Sequence, residues 1–247
     1  MKNQFVKTSN YERFITGLSV LENRGASEAS LLLVDGDAGF GKSKTVDYWA
    51  VQNGALYLRA KTQWTPSYFM SELADLLKVD STGRTKTIFG RVAARLGGQE
   101  IPLVIDEVDH CLRNGADVLE TVRDISDLTE IPVILVGMER VQTKIARHKQ
   151  ISSRIAKVVE FQPASLDDIA LTCHQLAEVT ITNDLIEEIH RQSRGLMRQV
   201  MNAIAVCENT AKLNGLKQIS TIEMAGKVLT HDWQERRPRA VKAVGGR

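Results

Sequence analysis

Gly36-Asp37-Ala38-Gly39-Phe40-Gly41-Lys42-Ser43 reads G-x-x-x-x-G-K-S. It follows the apolar run Leu31-Leu32-Leu33-Val34 and precedes a segment, Lys42 to about Gln52, that can be helical. A strand delivers the chain to this loop, and its glycines let backbone N–H groups curl around phosphate oxygens. The helix opening at Lys42 then aims its positive dipole end at the same anion. In this pattern Lys42 reaches the β- and γ-phosphates and the Ser43 hydroxyl ligates Mg2+. The expected phosphate contacts are Gly36, Asp37, Ala38, Gly39, Phe40, Gly41, Lys42, Ser43 and Lys44.

A second signal lies downstream in Leu103-Val104-Ile105-Asp106-Glu107, an apolar strand that ends in two acids. By itself such a pair also suits a helix N-terminus, where the dipole favours negative charge. After a phosphate loop it reads as the Walker B pattern. Asp106 would hold Mg2+, mostly through its water shell, and Glu107 would orient and deprotonate the attacking water.

Between and after these motifs the hydrophobic pattern alternates. Strands are expected at Ala55–Ala60, Pro102–Asp106, Ile131–Val136 and Lys157–Phe161, besides the run before the loop, with helices between them. Parallel strands with helices on both faces follow from that order. After Pro163 the texture turns helical: Ser165-x-x-Asp168 can cap a helix over Leu166–Leu176, and further helices are expected over Leu185–Gln192, from Leu196 to about Lys212, and over Thr221–Leu229. No strand is expected in this part. The division expected is a helical lead-in over 1–28, an α/β nucleotide domain over 29–162, a small all-helical lid over 163–230 and a basic tail over 231–247.

Composition bounds the rest. The net charge of +2 hides an asymmetry: removing the five basic residues Arg236, Arg237, Arg239, Lys242 and Arg247 leaves the remainder at −3. Such a tail suits a polyanion, or is simply a solvated terminus. Cys111, Cys173 and Cys207 are odd in number and far apart, which fits reduced thiols better than a disulfide framework or zinc site. The five histidines, His110 among them, show no ligand spacing and are expected to be structural or surface residues. With no apolar stretch long enough to span a bilayer and no signal-peptide core, the cytoplasm is the expected compartment.

Two arginines complete the pattern. Arg154 precedes the fifth strand, where it can reach the γ-phosphate of a neighbouring copy or pair with a helix terminus on its own surface; Arg147 is the second candidate. Arg198 stands in the first turn of the long helix after Gly195, placed to fold over bound phosphates or to remain solvated.

The order of phosphate loop, Asp106-Glu107, a strand ending at Gly137, Arg154 and Arg198 resembles an AAA+ ATPase with a helical lid. Within that superfamily the chain is most similar to the phage Mu B transposition proteins and related transposon target-selection ATPases. The closer likeness is carried by Ile105-Asp106-Glu107-Val108-Asp109-His110, Ala116-Asp117-Val118-Leu119-Glu120-Thr121-Val122-Arg123, Gly137 with Arg140-Val141, Ser153-Arg154-Ile155-Ala156-Lys157, and Arg198, over roughly 25–230. The resemblance implies ATP and Mg2+ as cofactors, ATP-dependent assembly of subunits on non-specific duplex DNA, and delivery of that DNA to a transposase that stimulates hydrolysis. It also implies an N-terminal helix-turn-helix, for which residues 1–35 are too few, so DNA contact is expected from the core, lid or tail. Where the family often has a polar residue after the fourth strand, this chain has Met138. A thioether cannot position water as an amide can, and slow intrinsic hydrolysis is expected.

Lys61, Arg84, Lys86, Arg91 and Arg95 are the candidate DNA contacts, with a solvated helix face as the alternative. Two other functions stay open: a replication-type ATPase, of which an initiator is disfavoured because no winged-helix segment is evident after the lid while a helicase loader remains, and a nucleotide-dependent scaffold that does not bind DNA.

Overall fold

The computed structural model describes residues 1–112, 115–230 and 240–241. The basic tail expected over 231–247, with its five arginines and lysines, lies outside the described residues apart from Ala240 and Val241.

The chain forms two compact units: one contains residues 1–12, 38–41 and 162–247, the other residues 13–37 and 42–161. The second unit is built on five parallel strands, β1 (Leu31–Asp35), β2 (Leu56–Arg59), β3 (Leu103–Asp106), β4 (Val133–Val136) and β5 (Ile155–Glu160), in the order β2-β3-β4-β1-β5. Every residue of β1, β3 and β4 is buried, because helices cover both faces of a parallel sheet. That is why these three strands read as unbroken aliphatic runs. The edge strands β2 and β5 bury their residues only partly.

Around this sheet run α1 (Ser9–Glu22), whose residues from Arg13 onward belong to this unit, α2 (Lys42–Gln52), α3 (Pro66–Leu76), α4 (Thr85–Gly98), α5 (Asp117–Thr129), α6 (Val141–Ile145) and α7 (Lys149–Ser152). The α2 expectation matches residue for residue. Thr65 caps α3 by accepting the Tyr68 N–H at 3.2 Å, with Pro66 in the first turn. Buried residues of α3, α4 and α5, among them Phe69, Met70, Leu73, Val92, Leu96, Leu119 and Val122, pack in one core with Leu103 and Ile105. The helix expected between β4 and β5 is split into the short α6 and α7.

The other unit carries α8 (Leu166–Leu176), α9 (Asn183–Ser193) and α10 (Met197–Leu213) around a core of Ile169, Leu185, Ile189, Val200, Ile204 and Cys207. Ser165 and Asp168 form the reciprocal capping box read from the sequence. The Asp168 carboxylate also accepts the Ser9 N–H and Oγ–H, each at 2.7 Å. Burial pushes its pKa up, but the bonds from Ser9 and Ser165 outweigh that and hold it below the usual range.

Two features of this unit differ from the sequence expectation. Thr180–Ile181 (β6) pairs in parallel with Gln218–Ile219 (β7), a two-residue ladder too short for any periodicity to announce. Thr221–Leu229 is not a helix: residues 221–226 form turns, with Gly226 at φ 78 and Thr221 tied to Asp184, and Val228 makes an isolated bridge to Ala240. The three cysteines are free and buried, with thiol pKa pushed up to about 12 by desolvation. No helix among the described residues is long and apolar enough to cross a membrane.

Candidate nucleotide-binding site

The loop after β1 depends on glycine where the chain first turns. Gly36 has φ 138, and a Cβ there would lie 2.8 Å from the Phe161 carbonyl oxygen, so neither the conformation nor the space admits a side chain. Lys42 opens α2 and is 7% exposed. Its ammonium donates to the carbonyls of Gly36 at 2.6 Å and Asp37 at 2.8 Å, folding the side chain back along the loop. Burial lowers the Lys42 pKa, and the charges of Asp106, Asp35, Asp37 and Asp109 oppose that shift. The loop lysine and the strand-end acid, 64 positions apart in sequence, therefore share one electrostatic environment. Asp37, Ala38 and Lys44 are exposed and Ser43 is half-buried.

Residues 38–41 group with the C-terminal unit. Within that unit a Cβ at Gly39 would lie 3.4 Å from Leu196 Cδ2, and one at Gly41 would lie 3.9 Å from Met197 Cγ. Phe40 is buried and its carbonyl accepts Asn10 Nδ2 at 3.4 Å. Arg198 is exposed in the first turn of α10.

Asp106 ends β3 and is 2% exposed. Its Oδ1 accepts the Glu107 N–H at 2.8 Å, and its Oδ2 accepts the Tyr57 hydroxyl at 2.5 Å. Burial raises the Tyr57 pKa, with the bond to Asp106 adding to it, so the phenol stays a donor. Arg59, at the end of β2, brings Nη2 to 3.8 Å from Asp106 Oδ2 and Nε to 3.7 Å from Glu107 Oε1. His110 Nε2 lies 3.6 Å from Glu107 Oε2. Glu107 itself takes a left-handed conformation, φ 56, which costs a non-glycine residue about 1 kcal/mol.

Sequence reasoning missed Tyr57, Arg59 and His110. The first two became visible only when β2 paired with β3 in the register that sets Tyr57 opposite Val104 and Arg59 opposite Asp106. His110, expected to be structural or surface, stands beside Glu107.

A divalent ion bound with nucleotide needs few protein ligands, since Mg2+ keeps waters and phosphate oxygens in its shell. One hydroxyl, Ser43, and one carboxylate, Asp106, would be a donor set of that kind. Among the described residues no cluster of three or more His, Cys, Asp or Glu side chains could hold a metal without such help.

Arg154 is not brought to this site. The sheet is parallel, so the residue before β5 lies at the end opposite to the one where β1 and β3 deliver Gly36 and Asp106. There its guanidinium grips Asp127 of α5, with Nε 2.8 Å and Nη2 3.2 Å from the two carboxylate oxygens. Arg147 is exposed between α6 and α7. Of the candidate DNA contacts, Lys61 is paired with Glu72 at 2.7 Å and lies over the Tyr68 ring. Arg91 is paired with Asp80 at 2.9 Å and also donates to the Asp80 and Thr82 carbonyls. Arg84, Lys86 and Arg95 are exposed and form no ion pair among the described residues.

Residues 24–145 match a family model described as AAA domain. Among solved structures, the chain superposes on Cdc6p from Pyrobaculum aerophilum with a TM-score of 0.67 at 17% identity, covering 90% of this chain and 68% of that one. It superposes on the Thermotoga maritima RuvB branch migration motor with a TM-score of 0.60 at 18% identity, covering 89% and 67%. The fold is that of an AAA+ P-loop ATPase.

Curated relatives narrow the resemblance. The ATP-dependent target DNA activator B of Escherichia phage Mu is 29% identical over 164 residues, which are 62% of this chain and 50% of that protein. The Mu-like prophage FluMu DNA transposition protein B of Haemophilus influenzae is 27% identical over 148 residues, 56% of this chain and 50% of that protein. The chain thus spans about half the length of the curated relatives it matches. It resembles the Mu-type transposition B proteins, as the motif order implied.

Proposed function

We propose that this AAA+ chain is an ATPase that binds and assembles on duplex DNA when it holds ATP, delivers that DNA to a transposase, and is released by hydrolysis. The observation that carries the reading is that parallel strands β1 and β3 end on the same side of the sheet, one delivering the loop with Lys42 and the other Asp106-Glu107, in a chain similar to a phage protein named ATP-dependent target DNA activator B. Its setting would be the cytoplasm.

In this reading Gly36–Lys44 wrap the phosphates, with Lys42 leaving its carbonyl partners for the β- and γ-oxygens. Ser43 and Asp106 would hold Mg2+, which when bound neutralises charge on the phosphates. Glu107 orients a water for in-line attack on the γ-phosphorus and takes its proton as the bond to the β–γ bridging oxygen breaks and ADP leaves. Such chemistry is mostly positioning and charge stabilisation.

Arg154, remote from its own chain's loop, would act on the nucleotide of a neighbouring copy, with Arg147 as the alternative; Arg198 would report the nucleotide from the lid. The divisions at 28/29, 162/163 and 230/231 belong to this proposal. Lys61, Arg84, Lys86, Arg91 and Arg95 are proposed DNA contacts, and with Met138 after β4 the intrinsic hydrolysis would be slow and partner-stimulated.

The test is electron microscopy of the chain with duplex DNA and ATP, ADP or no nucleotide, beside the Lys42→Ala variant. Filaments with ATP alone, lost in the variant, are expected. Isolated particles in every condition, with ATP still bound, would replace this reading by a helicase loader or a scaffold.

A further inference from the structure

The corner after β4 carries an apolar side chain, Met138. β4 lies between β3 and β1, and the Gly137 N–H donates to Val34 O at 3.0 Å. Met138 therefore follows directly on a strand end flanked by the strands that deliver Asp106-Glu107 and the phosphate loop. Its thioether is a weak acceptor and no donor, and the residue is 46% exposed.

What is held at this position is the backbone. The Met138 N–H donates to Asp109 Oδ2 at 2.7 Å, while Asp109 Oδ1 accepts Lys144 Nζ at 2.8 Å. Asp109 comes two residues after Glu107, on the 3-10 turn Val108–Leu112. From the other side the Asp35 carboxylate, at the entrance of the phosphate loop, accepts the N–H groups of Gly36, at 2.6 Å, and of Gln142. Burial raises the Asp35 pKa and these two bonds oppose it. Segment 138–144 is thus gripped by two carboxylates, one from the turn that follows Glu107 and one from the residue before Gly36. The corner is tight: a Cβ at Gly137 would lie 2.6 Å from Val141 Cγ1.

We propose that Asp109, with Lys144 as its counter-ion, is a positioning residue for hydrolysis that takes the place of a polar side chain at position 138, fixing the turn that follows Glu107 against the corner after β4. This inference rests on the ATPase reading above. The left-handed φ of Glu107 gives the brace its purpose. A strained residue keeps its conformation only where its surroundings over-determine it, and Asp109, two residues further on, ties the start of the following 3-10 turn to two groups beyond β4. A side chain that makes one backbone bond and one ion pair at once also fixes its own angle, as single-contact groups do not.

The test compares steady-state hydrolysis, MgATP binding and thermal melting of the full chain with those of Asp109→Ala, Asp109→Asn and Lys144→Met, each also in a Met138→Asn background. Asp109→Ala should lower kcat at least about tenfold with KM changed less than about twofold, since the group acts on the turn and not on substrate affinity. Asp109→Asn keeps an acceptor for the Met138 N–H and should recover part of the loss; Lys144→Met should fall between the two. With Asn at 138 the Asp109→Ala loss should shrink to about threefold or less, the non-additivity expected of groups that share a task. Equal losses in both backgrounds, or a loss carried by KM together with the melting temperature, reduce Asp109 to a structural residue and overturn the inference. An active wild type matched by an equally active Asp109→Ala variant overturns it alone. A wild-type chain that holds no MgATP removes the ATPase reading, and this inference with it.

Discussion

Tyr57 donates its hydroxyl to Asp106 Oδ2 at 2.5 Å, across the register that lays β2 against β3. The phenol takes one oxygen of a nearly fully buried carboxylate while the Glu107 N–H takes the other, so Asp106 is oriented from two sides. Tyr57→Phe keeps the ring and deletes the donor. A hydrogen bond to a charged acceptor is worth about 1.5–3 kcal/mol. The expected result is a kcat/KM for MgATP lower by roughly tenfold, about 1.4 kcal/mol, with a changed Mg2+ midpoint and an intact fold. An unchanged Mg2+ titration would leave Tyr57 as packing alone.

Arg154 and Asp127 form a two-pronged pair at the sheet end opposite the phosphate loop. Under the proposed function Arg154→Ala should keep ATP affinity and lose most hydrolysis and DNA-dependent assembly, because the missing charge would serve a neighbour's site. Asp127→Asn weakens the hold on Arg154 and should leave hydrolysis at or above the wild-type level. Nucleotide binding by fluorescence and turnover at several chain concentrations separate the two effects. A concentration-independent rate that survives Arg154→Ala would locate the stimulating arginine elsewhere, with Arg147 next.

The five candidate DNA contacts divide by their partners. Lys61 and Arg91 are already paired with Glu72 and Asp80, whereas Arg84, Lys86 and Arg95 are exposed and form no ion pair among the described residues. Arg84→Ala and Lys86→Ala should each weaken duplex binding alike on all sequences and reduce the salt slope by about one. Lys61→Ala and Arg91→Ala should cost less affinity, since those cations must first leave an ion pair. Equal salt slopes for all variants and wild type would move the DNA surface away from α4.

Asp184 supplies a pH test of the helical unit. Burial pushes its pKa up, but bonds from Thr182, Thr221 and the Leu185 N–H win and hold it at about 2, against an ordinary value of 3.8. A depressed folded pKa stabilises the fold above 3.8, and that contribution is lost as pH falls through about 2. Asp184→Asn should therefore lower the melting temperature at pH 7 and make little difference near pH 2. A constant difference across that window would mean that Asp184 contributes shape and not charge.

How much of this was legible in the sequence follows the range of each interaction. The phosphate loop, the three central strands and the capping box of Ser165 and Asp168 are local patterns, written in residues that neighbour one another. A glycine forced by the Phe161 carbonyl, a strand buried on both faces and a helix start each leave a mark on their own short stretch. The pair Asp106-Glu107 was legible for the same reason, and so was the likeness to the Mu-type B proteins, which rests on such stretches in order.

The tertiary structure decided the rest. Tyr57 and Arg59 gained a place at the site only through the β2–β3 register, which no run of neighbouring residues encodes. Asp109 and Lys144 met because β4 lies between β3 and β1, which puts the turn after Asp106 beside the corner after Val136. The two-residue ladder of β6 and β7 and the turns over 221–226 escaped notice because two residues carry no period and the Asp184–Thr221 bonds are long-range. Sequence fixes what a residue can do within its own turn or strand; which distant charge it meets is set by strand order and packing.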